Sequence, residues 1–261
     1  MAASNIVFLM YHELELAGRG LCQTEPGYVR YILPLDNFRR QMQWMKDSSF
    51  QGLSVGEAIR YPQQPGVCIT FDDGCETDLI AAAPVLGEFG FHATFYLTSG
   101  FLGTPGYLNA DQARELDSMG FEIGCHSMTH PYLSDLPEPE LKREILDAKL
   151  QIEQVLGHAI EHFSCPGGRY DRRTLEMARR AGFRTVANSR FHTNCAETSR
   201  YELGRVAVLR DMPMGEFADT CHGRGLWKKQ LQDRTRHSVR RLLGNRAYDR
   251  ARGALLGETR R

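Results

Sequence analysis

Short apolar segments rich in β-branched and aromatic residues recur along most of the chain. They lack the strict apolar–polar alternation of a strand with one face in water, so they are typical of strands buried on both faces. The pattern predicts seven strands, at 5–12, 66–72, 93–98, 121–126, 162–165, 185–189 and 203–208.

Between these strands the apolar residues take helical spacing. Segment 138–156 is predicted to be a helix that ends at Gly157, because glycine readily adopts the left-handed conformation of a helix C-terminus. A second helix, 110–119, has Asn109 as its N-cap and Gly120 after its last turn. The apolar stripe of the longer helix consists of Leu141, Ile145, Ala148, Ile152 and Val155.

Strands and helices alternate along the sequence. Such alternation with continuously apolar strands predicts a parallel sheet covered by helices, either an open doubly wound sheet or a closed barrel. Both architectures place functional sites at the carboxyl ends of the strands. We therefore expect any active-site residues directly after the predicted strands.

Composition and charge favour one enzyme-sized domain with a basic extension. The 261 residues are 42% hydrophobic and 25% charged, as in ordinary globular proteins, and the formal net charge is zero. Residues 224–261 nevertheless hold twelve Lys or Arg against three Asp or Glu. We predict a catalytic domain at 1–212, a basic helical extension at 213–261, and no nucleic-acid partner.

The extension also interleaves apolar and basic residues, which suits an amphipathic helix lying on anionic lipid. The alternative is a helix that packs on the barrel with a solvated basic face.

The N-terminal segment 1–12 reads as a strand and not as a signal peptide, and no apolar stretch is long enough to span a membrane. Seven scattered cysteines fit a reducing compartment. We expect a cytoplasmic protein. If the basic extension lies on lipid, the protein would also make peripheral contact with the inner membrane face.

Ligand-type side chains follow two of the predicted strands. Strand 66–72 runs into Asp72-Asp73-Gly74, and strand 121–126 runs into His126-Ser127-Met128-Thr129-His130. Two histidines four residues apart on a helical turn face the same way, and one carboxylate would complete a set of three ligands. Three nitrogen and oxygen ligands with open positions indicate a hydrolytic metal site, in which the other aspartate accepts a proton from water.

Each motif also has a structural explanation when it stands alone. Asp-Gly is a common turn, and paired histidines often cap helices or pack in cores. Their joint placement at strand ends favours the metal site. Cys75 and Cys125 lie beside the two motifs, so a mixed thiolate site is an alternative, although strand alternation directs Cys125 away from His126.

The two motifs carry a specific family resemblance. Thr70-Phe71-Asp72-Asp73-Gly74 and His126-Ser127-x-x-His130 resemble the first two motifs of the polysaccharide deacetylases, the NodB-homology domain of carbohydrate esterase family four. The resemblance extends over about residues 5–210, including Met10-Tyr11-His12 and Ala93-Thr94-Phe95-Tyr96, and leaves out the basic extension.

The resemblance implies a fold and a set of roles. The expected fold is a distorted, incomplete (β/α) barrel of about seven strands. Asp72 is the expected general base, and Asp73, His126 and His130 are the expected ligands of one divalent metal ion. Zinc is the first choice for that ion, with cobalt, nickel, iron and manganese as alternatives.

The sequence departs from the family pattern in two places. The third motif, usually Arg-Pro-Pro-Tyr-Gly, corresponds to Ser164-Cys165-Pro166-Gly167-Gly168, so a serine stands where an arginine usually braces the base. Arg169 is a candidate substitute, and the turn at Pro166 and Gly167 is a candidate oxyanion or substrate site. The late Leu-x-His motif, which supplies the general acid, is replaced by Leu203-Gly204-Arg205-Val206.

Three other histidines are considered for the missing acid. His192 is a candidate substrate-site residue or acid, and His222 is a second candidate, although a surface histidine explains either. His12 follows the first strand and either lines the pocket floor or is a satisfied core histidine. It is not assigned a catalytic role from the sequence.

We expect a metal-dependent hydrolase that removes N-acetyl or other acyl groups from an amino sugar of a polysaccharide, an oligosaccharide or a lipid-linked precursor. Two alternatives come from other classes of function. One is hydrolysis of another C–N bond, such as that of a cyclic amide, which the missing late motif permits. The other is a catalytically silent carbohydrate-binding domain, which would have no use for the second aspartate.

Overall fold

A parallel sheet organises the chain in a computed structural model that describes residues 5–61, 66–227 and 230–231. Within that part of the chain the main sheet has eight strands, and every pairing between them is parallel. A separate two-stranded sheet pairs β2 with β3. The strands are β1 Val7–Tyr11, β2 Leu14–Glu15, β3 Leu33–Pro34, β4 Gln51–Leu53, β5 Gly66–Phe71, β6 Thr94–Leu97, β7 Glu122–Cys125, β8 His162–Ser164, β9 Thr185–Ala187 and β10 Val206–Ala207.

The order of the strands follows from right-handed crossovers through helices. Seven strands run in the order β10, β1, β5, β6, β7, β8, β9, and β4 pairs with β5 outside this path. The sheet curls into a half-barrel covered by helices, which confirms the expected distorted, incomplete (β/α) barrel. The carboxyl ends of β1, β5, β7, β8 and β10 therefore meet on one rim.

The helices include two π-helical segments and three short 3-10 turns. The α-helices are α1 Pro26–Val29, α2 Leu35–Asp47, α3 Val55–Arg60, α4 Ala83–Phe89, α5 Ala110–Ser118, α6 Glu138–Lys142, α7 Ala148–Leu156, α8 Arg172–Arg180 and α9 Met214–Cys221. The π-helical segments are Asp78–Ala82 and Arg143–Asp147, and the 3-10 turns are Ser99–Phe101, Leu133–Asp135 and Pro166–Gly168.

Both helices predicted from periodicity are present. Asn109 caps α5 in a reciprocal pair with Gln112, as the cap signal predicts. The predicted helix 138–156 is one run of helix, but its middle turn is π-helical. The wider turn places Glu144 among buried residues, and its side chain is used at the functional site.

Aromatic packing fixes the strands whose ends carry the motifs. Phe71 of β5 stacks between Tyr11 of β1 and Phe95 of β6, with ring centroids 5.2 and 4.9 Å apart, respectively. Phe121 meets the Phe95 ring edge-on at 5.4 Å. Each such pair adds about 0.5–1.5 kcal/mol to the burial of its rings. Asp72 follows Phe71 directly, so this packing holds the loop of the first motif.

The sequence pattern missed the short strands β2, β3 and β4, which are too brief to show periodicity. Most of the predicted extension 213–261 lies outside the described residues. Within its described part, Phe217 and Cys221 of α9 join the main core together with Leu226. No helix among the residues with described structure is long and apolar enough to cross a membrane.

Candidate metal centre

The two strand-end motifs converge on the rim of the half-barrel. Asp73 Oδ1 lies 3.7 Å from His126 Nε2 and 3.5 Å from His130 Nε2. All three ligand atoms lie within 4.8 Å of one another. The structure thus brings together the three residues that the sequence predicted as ligands, while their role in binding metal stays a prediction.

The histidine motif is an irregular loop, so the predicted helical turn is wrong. Ser127 and His130 have positive φ angles of 68° and 61°, which break the helix and turn the second imidazole back toward the first. Glu144 holds the loop: its carboxylate accepts hydrogen bonds from the backbone N–H groups of Met128 (2.9 Å) and Thr129 (2.8 Å) and from the Thr129 hydroxyl (2.7 Å). A pattern of spacing alone gives no sign of these contacts.

His126 is oriented for binding a cation. Its Nδ1–H donates to the carbonyl oxygen of Ser164 at 2.9 Å, which leaves the lone pair of Nε2 facing the carboxylates. Burial lowers the pKa of His126 to about 4, against the opposing effect of Asp72. The imidazole is therefore neutral at neutral pH, which is the form that binds a metal ion.

Asp73 has one oxygen without a hydrogen-bond donor. Its Oδ2 accepts from the Tyr28 hydroxyl at 3.1 Å, whereas its buried Oδ1 has no hydrogen-bond partner among the described residues. An unpaired buried carboxylate oxygen is costly. The cost is removed by a cation between Oδ1 and the two imidazoles, so the three residues fit a divalent metal ion.

Asp72 is held by Arg205, which the sequence did not identify. The guanidinium makes two parallel hydrogen bonds to the carboxylate, each 2.7 Å long, and both residues are buried. Its remaining N–H groups donate to the Thr70 hydroxyl (3.1 Å), the Ser164 hydroxyl (2.6 Å) and the Asn188 carbonyl oxygen (3.1 Å). All five guanidinium donors are therefore used.

The ion pair decides the charge state of Asp72. Burial alone raises the pKa of this carboxyl, but the Arg205 guanidinium and His126 together outweigh burial and hold the pKa well below its usual range. Asp72 is consequently an anion throughout the neutral range. The usual arginine of the third motif is a serine here, and its function in bracing Asp72 falls to an arginine that arrives just before β10.

Arg169, the substitute suggested by the sequence, has no contact with Asp72 among those described for it. Its guanidinium lies 3.7 Å from the centre of the Tyr132 ring, and Nη1 is 3.9 Å from Asp135. Gly167 has φ 58°, and a side chain there would collide with Tyr132, because a Cβ would lie 2.6 Å from that ring. The turn at Pro166 and Gly167 and the stacked Arg169 and Tyr132 thus form one surface near His130.

The histidines proposed for the missing acid differ in position. His192 lies against Gly204 and bonds to the Thr193 carbonyl oxygen at 3.0 Å. His222 packs against Trp44 and Phe50. None of the contacts described for either histidine involves Asp72, Asp73, His126 or His130.

His12, at the end of β1, is a third histidine whose ionisation the two aspartates influence. Burial lowers its pKa, and the carboxylates of Asp73 and Asp72 oppose that effect, which places both charges within electrostatic range of the ring. Its buried Nδ1 has no hydrogen-bond partner in the described structure. The two interpretations of His12, a pocket residue or a satisfied core histidine, stay predictions.

Comparison with known proteins supports the same class of function. The family model described as polysaccharide deacetylase matches residues 60–186. YxkH of Bacillus subtilis, assigned by name to the polysaccharide deacetylases, is 27% identical over 220 residues, covering 82% of this chain and 75% of that protein. A chitooligosaccharide deacetylase of Azorhizobium caulinodans is 31% identical over 136 residues, covering 51% of this chain and 63% of that protein.

A solved structure agrees in fold. The Streptococcus pyogenes deacetylase PplD, determined in complex with acetate, superimposes with a TM-score of 0.73 and 25% identity, covering 84% of this chain and 99% of that chain. Fold and site together define a hydrolase of the deacetylase type. The chain is therefore similar to polysaccharide deacetylases in sequence and in fold.

Proposed function

We propose that the protein is a metal-dependent deacetylase that hydrolyses N-acetyl groups on an amino sugar of a polysaccharide, an oligosaccharide or a lipid-linked precursor. The observation that carries the proposal is the unpartnered Oδ1 of Asp73, which faces His126 and His130 beside a fixed, ionised Asp72. A site that merely bound sugar would have no need for this charge arrangement. The named chitooligosaccharide deacetylase relative supports the choice of substrate class.

One aspartate and two histidines would hold a single divalent ion. Imidazole and carboxylate ligands suit zinc first, and they also accept cobalt, nickel, iron or manganese. When bound, the ion supplies Lewis-acid activation of a water molecule and of the amide carbonyl group. The neutral state of His126 and the orientation given by Ser164 prepare the site for it.

Asp72 is the proposed general base. Both of its oxygens accept a bond from Arg205, and Oδ2 accepts a further, longer bond of 3.5 Å from the Ser164 hydroxyl. Oδ1 therefore keeps a lone pair for the proton of an attacking water. Arg205 fixes the plane of the carboxylate and keeps it ionised. Arg205 therefore lowers the basicity of Asp72 and also fixes the position of its carboxylate.

His12 is the proposed donor of a proton to the departing amine. Burial lowers its pKa, so the donating form is the imidazolium that the charges of Asp73 and Asp72 favour. The proposal rests on its place at the end of β1, where its ring lies within electrostatic range of Asp72 and Asp73, and on the unpartnered Nδ1. Tyr31 and Tyr28 pack around the ring at 5.0 and 6.3 Å between centroids and keep it in place. None of the contacts described for His192 or His222 involves either aspartate.

The substrate surface is proposed to include the turn at Pro166 and Gly167 together with Tyr132 and Arg169. Tyr132 has 37% of its surface exposed, although Arg169 lies over its ring. An exposed aromatic ring so close to His130 offers an apolar face to a sugar ring. The backbone N–H of Gly167 is the proposed donor to a developing oxyanion, because Pro166 has no N–H and the N–H of Gly168 donates to the Cys165 carbonyl oxygen. A side role of His192 in binding substrate stays a prediction.

The decisive experiment measures metal content and acetate release from chitooligosaccharides on the same purified preparations. We expect one ion at this centre, which His126→Ala and His130→Ala each remove together with activity. His158→Ala is the matched control, because that exposed histidine pairs with Asp117 far from the motif loops. Activity on cyclic imides but not on acetylated sugars would refute the deacetylase proposal, and metal retained in both ligand variants would refute the ligand assignment.

Two further variants test the proposed base and the proposed acid one at a time. Asp72→Asn and His12→Gln should both retain the metal at this centre. Each should lower kcat by about 10²–10⁴-fold, the range that general acid–base catalysis typically contributes. A near-normal kcat in either variant would remove that residue from the mechanism.

We also propose that the basic segment 232–261 brings the protein to the cytoplasmic face of an anionic membrane. The support is its sequence, in which basic and apolar residues alternate. Co-sedimentation with anionic vesicles should fade at high salt and disappear when the chain ends at Leu231. Equal, negligible sedimentation of both proteins would refute the proposal.

A further inference from the structure

A second group of metal-ligand side chains lies beside the candidate metal centre. Glu13, Cys22 and Cys75 each offer one ligand atom, and these three atoms lie within 4.8 Å of one another. Glu13 and Cys75 are buried, and Cys22 is half-buried. We call this group the thiol cluster.

Three separate loops build the thiol cluster. The backbone N–H of Cys22 donates to both carboxylate oxygens of Glu13, at 2.9 and 3.0 Å, and its Sγ donates to the carbonyl oxygen of Gly106 at 3.0 Å. Cys75 forms an isolated antiparallel bridge with Tyr107. The segments around residues 13, 22, 75 and 106 are therefore fixed to one another without any contribution from a ligand.

The buried carboxylate of Asp78 is an independent sign that this region suits a cation. The residue is fully buried, and neither oxygen of its carboxylate has a hydrogen-bond partner within the described structure. Its backbone N–H donates to the Cys75 carbonyl oxygen at 2.9 Å, which places it one turn beyond Cys75. Cys22 and Glu13 both lie within electrostatic range of its carboxylate. A buried carboxylate without a partner is rare and costly, and a bound cation removes the cost.

Tyr28 marks the boundary between the thiol cluster and the candidate metal centre. Its hydroxyl donates to Asp73 Oδ2 at 3.1 Å and lies 3.7 Å from Cys75 Sγ. Cys75 therefore groups with Glu13 and Cys22 and not with the two histidines. The mixed site that the sequence left open is replaced by two neighbouring sets of ligands.

We propose that Glu13, Cys22 and Cys75, beside the buried carboxylate of Asp78, form a second binding site for a thiophilic divalent cation such as zinc. Two thiolates and a carboxylate form a donor set that zinc accepts in tetrahedral sites, with Zn–S distances of about 2.3 Å. The site stabilises the loops at residues 12–28 and 72–78, which carry His12, Asp72 and Asp73.

Binding at this site is a simple exchange of protons for metal. Each thiol releases its proton to solvent as its sulfur becomes a thiolate ligand, and no electron is transferred. Cys22 gives up its hydrogen bond to Gly106 at the same time. Glu13 keeps its bonds from the Cys22 N–H, since each carboxylate oxygen has a second lone pair for the ion.

The test uses cobalt as a spectroscopic substitute for zinc in the full chain. Protein is stripped with a chelator, kept reduced by a phosphine, and reloaded with Co²⁺, and bound cobalt is counted by elemental analysis. The wild-type protein should bind two ions per chain and show thiolate-to-cobalt charge-transfer absorption in the near ultraviolet. Carboxylate and imidazole ligands alone do not produce that absorption.

Single variants assign the two ions separately. Cys22→Ser should lose one ion and the charge-transfer band, and Glu13→Gln should weaken the same ion. Cys195→Ser, a half-buried thiol in another loop, is the matched control and should keep both. His126→Ala should lose the other ion and keep the band, so failure of either site is recognised independently.

Several results would overturn the second site. These are a wild-type protein without the charge-transfer band, or a Cys22→Ser variant that retains both the band and two ions. Peptide mapping that finds Cys22 and Cys75 joined as a disulfide, with no thiol-bound cobalt after reduction, would also overturn it. Because Cys22 is only half-buried, its serine variant should fold even if Cys75→Ser does not.

Discussion

Asp72 and Asp78 lie in one short stretch of chain and are equally removed from water, yet their surroundings are opposite. Asp72 receives two short hydrogen bonds from Arg205, and its pKa is held well below the usual range. Asp78 has no hydrogen-bond partner among the described residues, and burial, with Asp73 and Cys22 adding to it, raises its pKa well above that range.

The difference shows that a partner, and not burial, determines the charge of a carboxylate in this protein. Around Arg205 the polar groups find their partners within the chain, because every N–H of the guanidinium has an acceptor. The Cys75 side has an excess of acidic groups and no arginine or lysine among the contacts described for Asp78. The carboxylate of Asp72 obtains its partner from the folded chain, whereas the proposed partner near Asp78 is a bound cation.

Replacing Arg205 should have the largest effect. Arg205→Met leaves Asp72 buried without its partner, and breaking such a pair typically costs about 3–5 kcal/mol. We expect that loss in the free energy of unfolding, measured with urea at pH 7 on metal-free protein.

The matched control for this change is Arg190→Met. Arg190 is half-exposed and lies 3.7 Å from Glu202, so its loss should cost less than about 1 kcal/mol. Equal destabilisation by the two substitutions would show that the Arg205 ion pair does not stabilise the fold.

A smaller effect should appear in the pH dependence of stability. Since the folded-state pKa of Asp72 lies below its unfolded value of about 3.9, the stabilisation is present above that pH and is lost as pH falls below it. The gap in unfolding free energy between wild type and Asp72→Asn should therefore shrink from pH 7 to pH 3. A gap that stays constant over this range would contradict the ion-pair explanation.

The smallest effect, and one of opposite sign, should come from Asp78→Asn. The folded-state pKa of Asp78 is raised, so folding disfavours the ionised carboxylate and the wild-type protein loses stability as pH rises above about 4. Asparagine does not ionise, so the Asp78→Asn variant lacks this loss. Metal-free Asp78→Asn should be as stable as wild type or more stable by about 1 kcal/mol at pH 7. Clear destabilisation at pH 7 would mean that Asp78 is ionised and paired.

The regular parts of the fold could be predicted because their signals are local. Apolar runs located seven strands of the sheet, and the Asn109 cap located the start of α5. The placement of Asp73, His126 and His130 on one rim followed from parallel topology. Their loop geometry did not follow, since the left-handed turns at Ser127 and His130 depend on Glu144 from a distant helix.

Long-range pairing explains what the sequence did not reveal. Arg205 contacts Asp72, which lies 133 residues earlier in the sequence. The family pattern instead has its bracing arginine in the third motif. A signal was available: an arginine within the apolar run 203–208 needs a buried carboxylate partner. Cys22 had no comparable signal, because the loop that carries it has no periodicity and its partners lie in two other segments.

The three non-glycine residues with positive φ at the site, Asp73, Ser127 and His130, have a consequence for how a metal ion would be captured. Each such conformation costs roughly 1–2 kcal/mol, and here the cost is met when the chain folds, through contacts such as those of Glu144. The ligands are therefore preorganised, and the ion would not have to order a flexible loop. The binding free energy of the ion would then come mainly from its bonds to the ligands, because binding would remove little chain entropy.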